Sequence, residues 1–123
     1  MNRIRARFCL PVFLILLSSS LAFAESVTAT VKSIMGDYGN LNTSVTASQL
    51  HDLGISQGEN YTMQHKGTKV TVYYGMTYSD VATGEWVSFV LDDGTIQIAR
   101  NFENAAETLK VSVDDEIIIS NLN

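Results

Sequence analysis

Between Ser26 and Ile34 apolar and polar positions alternate. Val27, Ala29 and Val31 fall on one side, and Thr28, Thr30 and Lys32 on the other. A period of two predicts a half-buried strand. Similar short runs return at Leu41–Val45, Tyr61–His65, Lys69–Tyr74, Trp86–Leu91, Thr95–Arg100 and Glu116–Ser120. In the fourth of these seven runs Val70, Val72 and Tyr74 share a face. The breaks between runs carry turn residues: Gly36–Asn40, Gln57-Gly58-Glu59, Lys66-Gly67, Asp92-Asp93-Gly94 and Asp114-Asp115. Asp-Gly between alternating runs predicts a tight hairpin with both central residues at positive φ. A helical pattern intervenes twice. Thr46–Leu53 reads as a helix capped by Thr46 or Ser48, with Ala47, Leu50 and Leu53 on one face and Gly54 ending it. Asn104–Leu109 reads as one turn capped by Asn101 or Asn104. The stretch Tyr78–Glu85 reads as a loop. Seven short strands with one or two short helices predict an all-β fold, a small seven-stranded Greek-key-like β-barrel.

The first 24 residues break the pattern. Arg3, Arg5 and Arg7 precede an apolar run, Phe8–Leu17, that is too short to span a bilayer comfortably, and Ala22-Phe23-Ala24 has the form of a cleavage site. The reading is a signal peptide at 1–24, a mature start at Glu25, and export to the periplasm or the extracellular space. Residues 25–123 then form a single domain with no repeat or linker. The only cysteine, Cys9, leaves with the signal, so no disulfide is expected. Cleavage also leaves five basic residues against thirteen acidic ones, a formal charge of −8. Such a surface repels phosphate backbones, so no nucleic-acid partner is expected. No second apolar run is long enough to cross a membrane.

Chemistry-bearing residues are sparse. His51 and His65 read as solvated, because no second His or Cys stands at ligand spacing, so no metal is expected. No Ser-His-Asp or Cys-His set is present, and no catalytic residue is assigned. Exposed Trp86, Tyr73 or Tyr74 could mark a contact patch. The stretch Gly36-Asp37-Tyr38-Gly39-Asn40-Leu41-Asn42 is richer. Glycines flanking Tyr38 permit tight backbone, Tyr38 offers a flat face, and Asn40 offers a donor and an acceptor.

Four stretches in order carry a resemblance: Asp37-Tyr38-Gly39-Asn40-Leu41 with Thr43; Met76-Thr77-Tyr78-Ser79-Asp80-Val81 with Gly84-Glu85; Asp93-Gly94 with Ile98-Ala99-Arg100-Asn101; and Asn104-Ala105-Ala106 with Leu109, closing on Asp115-Glu116-Ile117. Together they resemble the C-terminal domain of the S-adenosylmethionine hydroxide adenosyltransferases, the family that includes fluorinating and chlorinating enzymes. The resemblance covers nearly all of 25–123 and implies a small β-barrel that supplies the purine end of a nucleoside pocket. It implies that Asn40 faces the adenine edge, that Tyr78 packs on the nucleoside, and that Arg100, Asn101 and Phe102 line the adenine rim with their backbone groups. Tyr38 and Asn42 are secondary candidates.

The chain also departs from that pattern. Met35 or Gly36 stands where the family places an Asp for the methionine ammonium. Asp93, beside Asp92, stands where halogenating members place an Arg for the carboxylate, and it would repel that group. The family's larger N-terminal domain, which carries its main catalytic polar residues, has no counterpart in the sequence. Three functions fit. One is an exported, non-catalytic module that binds adenosine, adenine or S-adenosylmethionine. Another is one component of a hydrolase or halogenase completed by a separate protein partner. The third is a structural or protein-interaction barrel without ligand. No cofactor is expected beyond such a ligand.

Overall fold

The structure, a computed structural model, describes residues 25–122. The proposed signal peptide, 1–24, lies outside them. In chain order the elements are β1 (Ser26–Met35), β2 (Asn40–Thr46), α1 (Ala47–Asp52), β3 (Asn60–His65), β4 (Thr68–Tyr74), β5 (Trp86–Val90), β6 (Thr95–Arg100), α2 (Ala105–Leu109) and β7 (Glu116–Asn121). A short 3-10 turn, Tyr78–Asp80, lies between β4 and β5. The strands close a barrel in the order β1-β2-β6-β5-β4-β3-β7. Closure removes the free strand edges that an open sheet would expose.

Inward positions follow the alternation. Val31, Leu41, Val45, Tyr61, Met63, Val72, Ile96, Ile98, Ile117 and Ile119 are buried together. Their contact excludes water from one continuous core, the main source of stability in a chain this size. The helix α1 follows the Thr46 end of β2, where a capping box joins Thr46 and Gln49 at 3.1 and 3.0 Å. At the other end of β2, α2 adds Ala105 and Ala106 to the core.

Three details differ from the sequence reading. The turn at Asp92-Asp93-Gly94 is a three-residue loop. Leu91 N–H donates to the Thr95 carbonyl at 2.8 Å, Gly94 N–H donates to the Leu91 carbonyl at 2.9 Å, and Gly94 takes positive φ while Asp93 does not. One left-handed residue closes a three-residue hairpin, whereas the two-residue form needs two. His65 is not solvated. It points inward on β3 with Tyr61 and Met63, is 2% exposed, and places Nε2 2.9 Å from Asp115 Oδ2. Tyr74 is buried and cannot mark a contact patch; Trp86 and Tyr73 are half-buried. The large apolar side chains that do reach solvent include Met35, Tyr38, Met76, Tyr78 and Phe102.

One pairing organises the rest. β4 and β5 run parallel, while the other neighbouring strands run antiparallel. A parallel pair needs a crossover, and residues 75–85 supply it. Alternation turns Val87 of β5 and its partner Ala99 of β6 outward, yet both are fully buried and neither joins the interior cluster. The crossover straps this outer face and buries a second, smaller apolar layer outside the barrel.

Candidate functional site

The site is built on that outer face from two tethered loops. The first is the turn between β1 and β2. Gly39 has a φ of +58°, and a Cβ there would overlap Asn104 Oδ1. Asn104 caps α2 by accepting from Glu107 N–H at 2.8 Å, and its Nδ2 donates to the Asp37 carbonyl at 3.1 Å. The first amides of α2 reach the same turn: Ala105 N–H donates to the Tyr38 carbonyl at 2.9 Å and Ala106 N–H to the Gly39 carbonyl at 3.0 Å. Helix-start N–H groups lack partners within the helix, and this turn supplies them. Gly39 and Asn104-Ala105-Ala106 are therefore one device that presents Tyr38.

The second loop is the crossover strap. Asp80 Oδ2 accepts from Met76 and Thr77 N–H at 2.7 and 3.1 Å, which shapes the turn carrying Tyr78. Asn101, 7% exposed, donates Nδ2 to the Val81 carbonyl at 2.9 Å. Its carbonyl accepts from Gly84 N–H at 2.7 Å, and its own N–H donates to the Glu85 carbonyl at 3.0 Å. Arg100 Nε donates to the Gly84 carbonyl at 2.8 Å, its Nη1 donates to Thr108 Oγ1 at 3.0 Å, and its guanidinium lies 5.6 Å from the Trp86 ring centroid. Arg100 and Asn101 thus fasten the strap.

Tyr38, Tyr78, Arg100, Asn101 and Phe102 line one cleft of about 210 Å³. Tyr38 is 48% exposed, Tyr78 39% and Phe102 69%. The Tyr78 ring stands edge-on to Phe89, centroids 5.1 Å apart at 81°. Phe102 has a φ of +62°. Among the described residues neither its N–H nor its carbonyl has a hydrogen-bond partner. The expectation that Asn101 reads a ligand with its backbone meets a geometric obstacle, since both of its backbone groups hold the strap. Phe102 is the rim residue with both backbone groups free.

Beneath Tyr78 lies a polar network. Asn40 Nδ2 donates to the Tyr78 hydroxyl at 2.7 Å, and Gln97 Oε1 lies 3.5 Å from that nitrogen and 3.4 Å from the hydroxyl. Gln97 Nε2 donates to Asn42 Oδ1 at 2.6 Å, and Asn42 Nδ2 donates to Ser33 Oγ at 3.0 Å. Asn40 therefore sits behind Tyr78 rather than on the cleft wall, and Asn42 is one step further along. Asn40 Oδ1 is buried without a partner. The sequence reading missed Gln97, 7% exposed at the centre of the network. Its one signal was a long amide on the polar register of β6.

A larger open depression of about 550 Å³ lies on the other side of the strap, lined in part by Tyr73, Asp80, Glu85 and Trp86. The smaller cleft is the better candidate, because Tyr38, Tyr78 and Phe102 bring three aromatic rings to it and Phe102 has unpaired backbone groups. Among the described residues no three His, Cys, Asp or Glu side chains converge as a metal site.

A family model described as the SAM hydroxide adenosyltransferase C-terminal domain matches residues 33–118. The chain belongs to this family. The match spans both loops and the strands beneath them, so the Tyr38 turn, strap and α2 start are all parts of a SAM hydroxide adenosyltransferase C-terminal domain. A crystal structure of an uncharacterized conserved protein from Thermotoga maritima superposes with a TM-score of 0.73 at 22% identity, over 92% of this chain and 43% of that one. A conserved hypothetical protein from Thermus thermophilus gives 0.54 at 21% identity, over 85% and 39%. At that identity the likeness is one of fold. The chain spans about two fifths of the length of either relative. No curated protein matches it.

Proposed function

We propose that the cleft is a purine seat and that the barrel is an exported binding module for the adenine end of adenosine or S-adenosylmethionine. The observation that carries this reading is the unpaired N–H and carbonyl of Phe102, in the cleft that Tyr38 and Tyr78 also line. A purine needs a flat apolar slot and a matching donor and acceptor. The edge of adenine presents a ring-nitrogen acceptor beside an exocyclic amine donor, which complements one free N–H and one free carbonyl. Inosine replaces that amine with an oxygen and would set carbonyl against carbonyl.

Calorimetry with adenosine, inosine and S-adenosylmethionine tests the proposal. Adenosine should bind, and inosine should bind at least about ten-fold more weakly, as expected for one hydrogen bond lost and one acceptor left unpaired. No heat with any of the three at millimolar ligand would overturn it.

A second reading has its own support. The rim is exposed at Tyr38 and Phe102, and the barrel spans under half the length of its solved relatives. A separate protein partner would then close the slot and bring the groups for hydrolysis or halogenation. Co-purification of such a partner, and adenosine release only when both are present, would favour it over a module acting alone.

A further inference from the structure

Asn40 presents a problem of satisfaction. Asn42 Nδ2 is turned to Ser33 Oγ and Asn42 Oδ1 to Gln97 Nε2. Gln97 is left with its oxygen accepting from the Tyr78 hydroxyl at 3.4 Å, and Asn40 turns its nitrogen to the hydroxyl and to that oxygen. Its Oδ1 is then buried and unpartnered. Rotating the Asn40 amide only exchanges the orphan: the nitrogen would lose its acceptors instead. An unmet buried polar group of this kind is destabilising. The Tyr78 hydroxyl covers the amide, and the cleft beside it holds about 210 Å³, below the roughly 300–1,000 Å³ of a pocket that takes a drug-sized ligand.

We infer that Tyr78 plugs the site. Its hydroxyl occupies the seat of a ligand acceptor on Asn40 Nδ2, and a whole nucleoside enters when the ring withdraws. The inference rests on the purine reading of the cleft. Withdrawal opens the volume beneath the ring and frees Asn40 Nδ2. A ligand edge with an acceptor beside a donor, such as that of adenine, meets Nδ2 and Oδ1 together, whereas Tyr78 meets Nδ2 alone. The plug is built to move. Tyr78 is 39% exposed, sits on a three-residue turn in the strap, and its side chain is held by one short hydrogen bond, one long one to Gln97 and one edge-on ring contact. Apparent affinity is reduced by the fraction of molecules in which the plug is seated.

Adenosine titrations of wild type, Tyr78→Phe, Asn40→Ala and the double variant test this. Tyr78→Phe keeps the ring and removes the latch. It should bind adenosine about three- to ten-fold more tightly, the net worth of one neutral hydrogen bond, with the gain in the association rate. In the Asn40→Ala background the same change should have a smaller effect, because only the longer bond to Gln97 Oε1, 3.4 Å, remains to remove; an equal effect in both backgrounds would overturn the plug. In wild type, adenosine should shift the side-chain amide resonances of Asn40. If wild type binds adenosine but Tyr78→Phe binds equally or more weakly, or the Asn40 amide resonances stay put, the plug is wrong and the purine reading stands. If neither wild type nor any variant binds, both fall.

Discussion

Tyr61 carries its hydroxyl into the barrel, fully buried and without a hydrogen-bond partner. Burial pushes its phenol far above the ordinary tyrosine value, and the neighbouring Ser88 Oγ donates to the Tyr73 carbonyl at 3.2 Å instead. Tyr61→Phe keeps the ring and removes the unmet group. Stability in urea should stay equal or rise, by up to about 1–3 kcal/mol. A loss above about 1 kcal/mol would mean that the hydroxyl does have a partner. At this scale the sequence shows residue type and face but not company. Tyr61 reads only as the first residue of a strand. His65 reads as a polar residue for solvent, because the Asp115 that meets it lies fifty positions away.

The two glycines of the β1–β2 turn let the element-scale argument be tested. Both have positive φ, but only Gly39 is crowded; nothing lies within 4 Å of a Cβ added at Gly36. Gly36→Ala should cost about 1–2 kcal/mol, the strain of the left-handed conformation alone. Gly39→Ala should cost more, about 2–4 kcal/mol, since Asn104 must also give way. Thermal or urea unfolding of the pair measures the difference, and equal losses would deny that the turn is seated on α2. If Tyr38 belongs to the purine slot, Gly39→Ala should also weaken adenosine binding more than Gly36→Ala does. The motif was legible in the sequence as turn glycine and helix cap, because capping is local chemistry. That the two clasp each other was not, because 65 positions separate Gly39 from Asn104.

Across the whole molecule, Asp115 joins distant parts of the barrel. It accepts from Ser112 N–H at 2.9 Å, meets His65 Nε2 at 2.9 Å, and its carbonyl accepts from Val31 N–H at 2.9 Å. The Ser112 amide first, and then the bond to His65, hold its carboxyl below the ordinary aspartate value. A carboxylate with a depressed folded value contributes stability above its unfolded pKa of about 3.9 and loses it as pH falls through the folded value. The gap in unfolding free energy between wild type and Asp115→Asn should therefore narrow as pH drops below about 4. Urea melts from about pH 5 to about pH 2.5 would check this, and a gap that stays constant would refute it.

Local chemistry determined the strands, turns, caps and class of this protein. Alternation, glycine at positive φ and a Thr or Asn at a helix start act over a few residues, and each is written where it acts. Seven short strands with one buried face each leave few architectures besides a small barrel. Direction, partnership and cover are not written locally. The parallel β4–β5 pair, the strap that buries Val87 and Ala99 outside the core, the seating of Tyr78 on Asn40 and the free backbone of Phe102 all join segments far apart in the chain. Those contacts exist because the barrel closes, and only the closed barrel decides which polar groups are left without a partner.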